Sequence, residues 1–383
     1  MNRRTALATL ALGLHGAAAY AQRAPEAPLD AELLRSAGRC LLAGWRTRGV
    51  HPWAAARLAE DALGGVIVTR SNAPALPALQ ALTSQLRSCV VAADQEGGAV
   101  SHLSPPLVRM PPLTVFGAID DEALTRRAGQ WASRLLEQAG VNMMLGPVLD
   151  VSGDANNGVI AGRVFGGDAA KTARHGAAYV EGAHATSVRT CVKHFPGHGA
   201  THEDSHVTLP HAPRTVDELR AADLLPFAAV NGRTDAVMVA HVIYDGVDRE
   251  FPATLSRRCA TELLRETLGF RGVAVSDDLE MAPVRDAWGV GAAAVRAMSA
   301  GCDLLTIAHT PGLAEEARQA LARRAADDSV FRDRLHEAEA RIRETLRGAR
   351  VATDVPSGTL GEFIAEVMRR APRRAEVHRD PTR

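Results

Sequence analysis

The sequence predicts an α/β fold of the (β/α)8 TIM-barrel type in a single domain. Three observations lead there. Short apolar β-rich runs alternate with longer amphipathic patterns along most of the 383 residues, as in a parallel sheet covered on both faces. Seven such runs are visible and Arg39–Ala43 is a possible further one, which suits a closed barrel better than a three-layer sandwich. No GxGxxG follows the first run, which weakens a dinucleotide-binding reading.

The expected strands are Gly65–Thr69, Val90–Ala93, Val141–Leu145, Thr190–Val192, Ala236–Ala240, Val273–Val275 and Asp303–Ile307. Between them lie helical stretches at Ala75–Arg87, Glu122–Ala139, Ala169–Thr186, Val216–Val230 and Ser256–Leu268. Helical pattern continues over Pro311–Gly348. Beyond it a short helix is expected at Glu362–Arg370, then a basic, disordered tail. The barrel is therefore assigned to residues 30–348 and the C-terminal segment to 349–383.

The first residues read as an export signal covering 1–21. Met1–Arg4 is basic, Thr5–Ala19 is mostly Ala and Leu, and Ala19-Tyr20-Ala21 fits a small-x-small cleavage site. The apolar run is short and His15 interrupts it, so it does not read as a membrane span. A periplasmic or secreted location is expected, with the adjacent arginines permitting a twin-arginine route.

Composition narrows the partners. Lys plus Arg and Asp plus Glu each number 44, so no field of one sign would draw nucleic acid or an anionic membrane. Aromatics at 4% leave little for stacking on single strands. The five cysteines form no CxxC pair, which leaves zinc-ribbon and thioredoxin motifs unsupported. Cys89, Cys191 and Cys302 sit in or beside apolar runs and read as buried thiols rather than a disulfide framework.

Several strands end in polar residues: Asp94 after Val90–Ala93, Asp150 beyond Val141–Leu145, Lys193 and His194, His241, and then Ser276-Asp277-Asp278. Strand C-termini of a barrel share one face, where catalytic groups gather. This convergence argues for an enzyme.

Lys193–His206 (KHFPGHGATHEDSH) carries four histidines at every fourth position. On one helix they would suggest zinc, but Pro196, Gly197 and Gly199 make a continuous helix improbable. The other reading is acid/base chemistry: Asp204 orients His206 by accepting from one ring nitrogen and leaves the other free. A purely structural role for Asp204 in the loop turn stays open on these residues alone. In GVAVSDDLEM, the adjacent aspartates would repel if both were buried and charged. Asp277 is expected to face the pocket and Asp278 to cap the following helix.

KHFPGHG…DSH followed by SDDLEM resembles the β-N-acetylglucosaminidase branch of glycoside hydrolase family 3. Supporting stretches run in order from about Arg39 to about Ile307: Gly64–Ile67, Asp94–Gly98, Gly162–Gly166, Leu225–Phe227, Val239–His241 and Pro252–Ser256. The resemblance implies a barrel, no cofactor, no metal and a double-displacement mechanism. Asp277 would be the nucleophile, and His206 with Asp204 the acid/base dyad, a variant of the usual carboxylate pair. Asp94, Arg163, Lys193 and His194 would bind the sugar, with His102 at a further contact position. The expected partner is a glycan, with release of terminal β-linked N-acetylglucosamine from cell-wall fragments. A monomer is expected. The chain departs from the family's pattern at Ala99 and His102, where arginines are usual, and at Ala200, where aspartate is common. Phosphorolysis or β-glucosidase activity on the same site, and glycan binding without turnover, are the competing readings.

Overall fold

The computed structural model describes residues 28–153, 157, 160–201, 209–346 and 358–372. Eight parallel strands form the barrel: β1 (Leu41–Gly44), β2 (Gly65–Ile67), β3 (Val90–Ala93), β4 (Met143–Val148), β5 (Arg189–Phe195), β6 (Ala236–Val239), β7 (Val273–Ser276) and β8 (Leu305–Ile307). From β1 to β7 each strand pairs with the next, and β1 pairs with β8. A parallel bridge from Val275 to Leu304 draws β7 and β8 together. Apart from Arg189, every residue in these strands is buried. That follows from apolar strands packed inside on side chains and outside on helices.

The helices start where the sequence supplies caps. Asp121 accepts the amide of Leu124 to begin Glu122–Gln138, and Asp168 accepts that of Lys171 to begin Ala169–Ala183. Leu124, Ala128, Ala132 and Leu136, four apart, form the buried stripe of the first.

Two expected helices differ in form. Val216–Val230 is broken into Val216–Glu218, a π-helical stretch Leu219–Asp223, and Leu224–Val230. Pro226 lacks the amide that would bond to residue 222, so the helix cannot run regularly through this point. Pro311–Gly348 divides into Pro311–Asp327 and Ser329–Leu346. Asp328 stands at the break, its carboxylate accepting from Val330 and Phe331 amides as a new N-terminus requires.

Other elements are too short or too polar to read from pattern. One is the hairpin Gln95–Gly97 with Val100–Ser101; another is the parallel pair His211–Thr215 with Ile243–Gly246. The C-terminal helix Leu360–Arg370 packs back on the barrel's helices. Phe363 stacks near Phe116 and under Arg127, and Arg370 pairs with Asp121.

At the N-terminal end of the barrel, buried Asp303 accepts from Arg265, Arg334 and Arg341 and from the Ala274 amide. This knot joins β7 and β8 to the helix Ser329–Leu346. All five cysteines are buried free thiols. No described helix is long and apolar enough to cross a membrane. The expected signal at 1–21 lies outside the described residues, as do Asp204 and His206.

Candidate active site

The C-terminal ends of the strands converge on a cavity of about 310 Å³, within the range of small-molecule sites. Its walls include Asp94, His102, Arg163, Lys193, His194 and Asp277. The sequence places these six up to 183 residues apart, and the barrel closes them into one rim.

The floor is an ion-pair lattice. Lys193 Nζ lies 2.5 Å from Asp94 Oδ1 and 2.6 Å from Glu96 Oε1. Glu96 also accepts from Arg163 through two nitrogens, at 2.8 Å each, the bidentate geometry a guanidinium favours. Burial would disfavour each charge, but the partners prevail: Glu96 is held far below the carboxylate range by Arg163 and Lys193. Lys193 is raised by Asp94 and Glu96, and Arg163 by Glu96. The site thus keeps two permanent cations in place.

Asp150, at the end of β4, organises the next layer. It is fully buried. Its Oδ1 accepts the amides of His194 (3.1 Å) and His198 (2.7 Å), and its Oδ2 meets His194 Nδ1 at 2.7 Å. An ionised carboxylate only accepts, so Nδ1 carries the proton and Nε2 faces Arg163 Nη2 at 3.4 Å. Burial opposes the charge on Asp150, but the two histidines lower its pKa.

Asp277 follows β7 and is partly exposed to the cavity. Burial alone would raise its pKa, but His241, His194, the Asp278 amide and Lys193 bring it down to about 2. That amide donates to Asp277 Oδ1 at 2.8 Å, which fixes the carboxylate's rotation. His241 is held in turn, its Nε2 donating to the Asp278 carbonyl at 3.0 Å. Thr254 braces the end of β6 with its hydroxyl 2.8 Å from the carbonyls of Val239 and Ala240.

Asp278 is structural but does not cap a helix, which corrects the expectation. The next helix, Ala282–Trp288, starts after Met281. Asp278 instead accepts from the amides of Glu280 and Ala308, tying β7's end to β8's. Burial pushes its pKa up to about 7.

The four-residue histidine spacing is not a helical face. His194 lies within β5 and His198 in the turn after it; His202 and His206 lie outside the described residues. His198 is 1% exposed and stands edge-on to the His194 ring at 5.7 Å. His102 is half exposed, with Nδ1 3.8 Å from Asp94 Oδ2, beyond hydrogen-bond reach.

Sequence reasoning passed over Glu96, His309 and Glu280 as site residues, and weighed His198 only as a zinc ligand. Asp150 and His241 carried a signal, as polar groups at strand ends. Glu96 lay inside the matched stretch Asp94–Gly98 but carried no signal of its role, because it sits in the hairpin beyond β3, where only tertiary closure brings Lys193 and Arg163 to it.

A barrel with anionic and cationic groups ringing a cavity at its C-terminal face has the form of a barrel enzyme acting on a small polar molecule. Residues 53–344 match the glycosyl hydrolase family 3 N-terminal domain, and the chain belongs to that family. A β-hexosaminidase from Stenotrophomonas maltophilia is 38% identical over 276 residues, covering 69% of this chain and 81% of that relative. A β-hexosaminidase from Pseudomonas aeruginosa is 37% identical over 274 residues, 70% of this chain and 81% of the other. Among solved structures, a family 3 β-N-acetylglucosaminidase from a Paenibacillus species superposes with TM-score 0.81 at 32% identity, over 88% of this chain and 68% of that one. A β-N-acetylhexosaminidase from Beutenbergia cavernae gives 0.75 at 30%, over 82% and 98%. The chain is a glycoside hydrolase of the β-N-acetylhexosaminidase type.

Proposed function

We propose that the chain hydrolyses terminal β-linked N-acetylglucosamine with retention, through a covalent glycosyl-enzyme on Asp277. The observation that carries this is the placement of Asp277: its carboxylate, fixed by the Asp278 amide at 2.8 Å, lines the cavity together with Lys193 and Arg163, and His241 and His194 keep it ionised. A carboxylate of low proton affinity suits a nucleophile and not a general acid. Its attack on the anomeric carbon breaks the bond to the leaving oxygen, and His206, oriented by Asp204, would give that oxygen its proton. The same imidazole would then take a proton from water as the hydroxide opens the ester. Asp94 would accept from sugar hydroxyls; Lys193 and Arg163 would donate to them, with His194 and His102 completing the wall. Export to the periplasm or beyond is part of this reading, on the basic start and the Ala- and Leu-rich run within 1–21, and peptidoglycan fragments there are a fitting source of substrate.

Assays of wild type and Asp277→Asn on chromogenic N-acetylglucosaminide and glucoside, with and without phosphate, test the reading. The variant should lose at least about 10³-fold, since covalent catalysis loses its nucleophile. A variant within a few-fold of wild type, turnover of the glucoside alone, or release of sugar 1-phosphate would each refute a part of it.

A further inference from the structure

Beneath the turn that carries His198, a carboxylate is buried without a hydrogen-bond donor among the described residues. Asp223 ends the π-helical stretch and is 1% exposed. Neither of its oxygens has a hydrogen-bond partner among the described residues. Arg214 Nε stands 3.4 Å from Oδ2 and makes no hydrogen bond either. An arrangement this costly to bury points to a role beyond packing.

Its surroundings show what it acts on. A methyl group on Gly197 would fall 2.8 Å from Asp223 Cβ and 3.1 Å from Oδ1, so the Asp223 side chain packs beside that glycine with no room for a Cβ. Gly197 has φ +138°, a conformation that residues with a side chain rarely adopt. Its carbonyl accepts from the Tyr244 hydroxyl at 2.8 Å. The next residue is His198, whose amide hangs on Asp150 and whose ring lies against His194. Arg214 belongs to the strand His211–Thr215, paired with Ile243–Gly246, which carries Tyr244.

We infer that Asp223, paired with Arg214, is a positioning residue for this pocket: as an anion it fixes the turn Pro196–Thr201, and its protonation loosens the turn under His198 and His194. The inference rests on the hydrolytic reading above. Burial pushes the Asp223 carboxyl up to about 6, with Arg214 opposing and Asp150 and Glu218 reinforcing the rise. Tyr244, which donates to the turn, is kept neutral by burial. His198 also stays neutral, burial and His194 lowering it to about 4. Asp277, ionised down to about 2, does not titrate near neutrality.

The test compares full-length wild type, Asp223→Asn and Arg214→Gln on chromogenic N-acetylglucosaminide between pH 4 and 8. Wild-type kcat/KM should fall about tenfold from pH 7 to pH 5, as for an ionisation near 6. Asp223→Asn should lose that acid limb. Arg214→Gln should move it upward by about one pH unit, because the carboxylate loses its cation. Limbs that coincide in all three proteins, with activity scaled equally at every pH, overturn the inference.

Two readouts do not need turnover. Asp223 has a raised folded pKa, so its contribution is lost as pH rises through about 6; the thermal midpoint of Asp223→Asn should gain on wild type over that interval. The His198 ring NMR signals should follow the same titration in wild type and not in Asp223→Asn. If wild type does not cleave the substrate, the hydrolytic reading fails; a His198 signal or a midpoint difference that ignores this interval sinks the present inference.

Discussion

Replacing Glu96 with glutamine removes one charge and almost no volume, and it strips the pocket's two cations of their shared partner. Glu96 is 3% exposed and holds Lys193 at 2.6 Å and Arg163 through two bonds of 2.8 Å. Breaking a buried pair by removing one partner costs about 3–5 kcal/mol. Glutamine retains one acceptor oxygen, and Lys193 retains Asp94, so the lower end, about 3 kcal/mol, is expected. If the whole loss falls on transition-state binding, kcat/KM drops about 150-fold. Urea melts and kinetics at pH 7 separate the two shares. The pH dependence has a definite sign. Glu96 is depressed from its ordinary 4.5, so its contribution is full above that value and is lost as pH falls below it. The gap between wild type and variant should therefore narrow in acid. A variant within about 0.5 kcal/mol of wild type, the range of a neutral surface change, and within a few-fold in kcat/KM would refute the lattice as the site's foundation.

Three further outcomes are expected. His102→Arg places a fork where the imidazole stands 3.8 Å from Asp94; KM for N-acetylglucosaminide should fall severalfold while urea melts stay within about 0.5 kcal/mol. Gly199→Ala sets a methyl 2.0 Å from the Val151 carbonyl oxygen. The backbone must shift, so about 1–3 kcal/mol of stability and much of kcat should be lost. Asp303→Asn leaves Arg265, Arg334 and Arg341 with a weakened partner and should cost about 3 kcal/mol in denaturant melts. Its kcat per folded molecule should match wild type, because the knot lies at the end of the barrel away from the site.

Seven of the eight strands were legible as apolar runs, and the first, Leu41–Gly44, only as a possible one at Arg39–Ala43, because a parallel barrel buries both strand faces and so demands unbroken hydrophobic stretches. Residues at strand ends were legible too: Asp94, Lys193, His194 and Asp277 project from positions that chain order alone assigns to one rim. The breaks at Asp328 and before Pro226 were less visible, since amphipathic periodicity continues across them while the backbone hydrogen bonds do not. What only the tertiary structure decided is who partners whom. Glu96, from a hairpin with no hydrophobic signature, meets Lys193 from β5 and Arg163 from a loop; Asp150 selects the tautomer of His194; Asp223 lies beneath Gly197 with Arg214 3.4 Å away. Periodicity encodes which face a residue turns to the core. The distance between two charges on different strands depends on closure, register and turn geometry, and these exist only once the barrel is built.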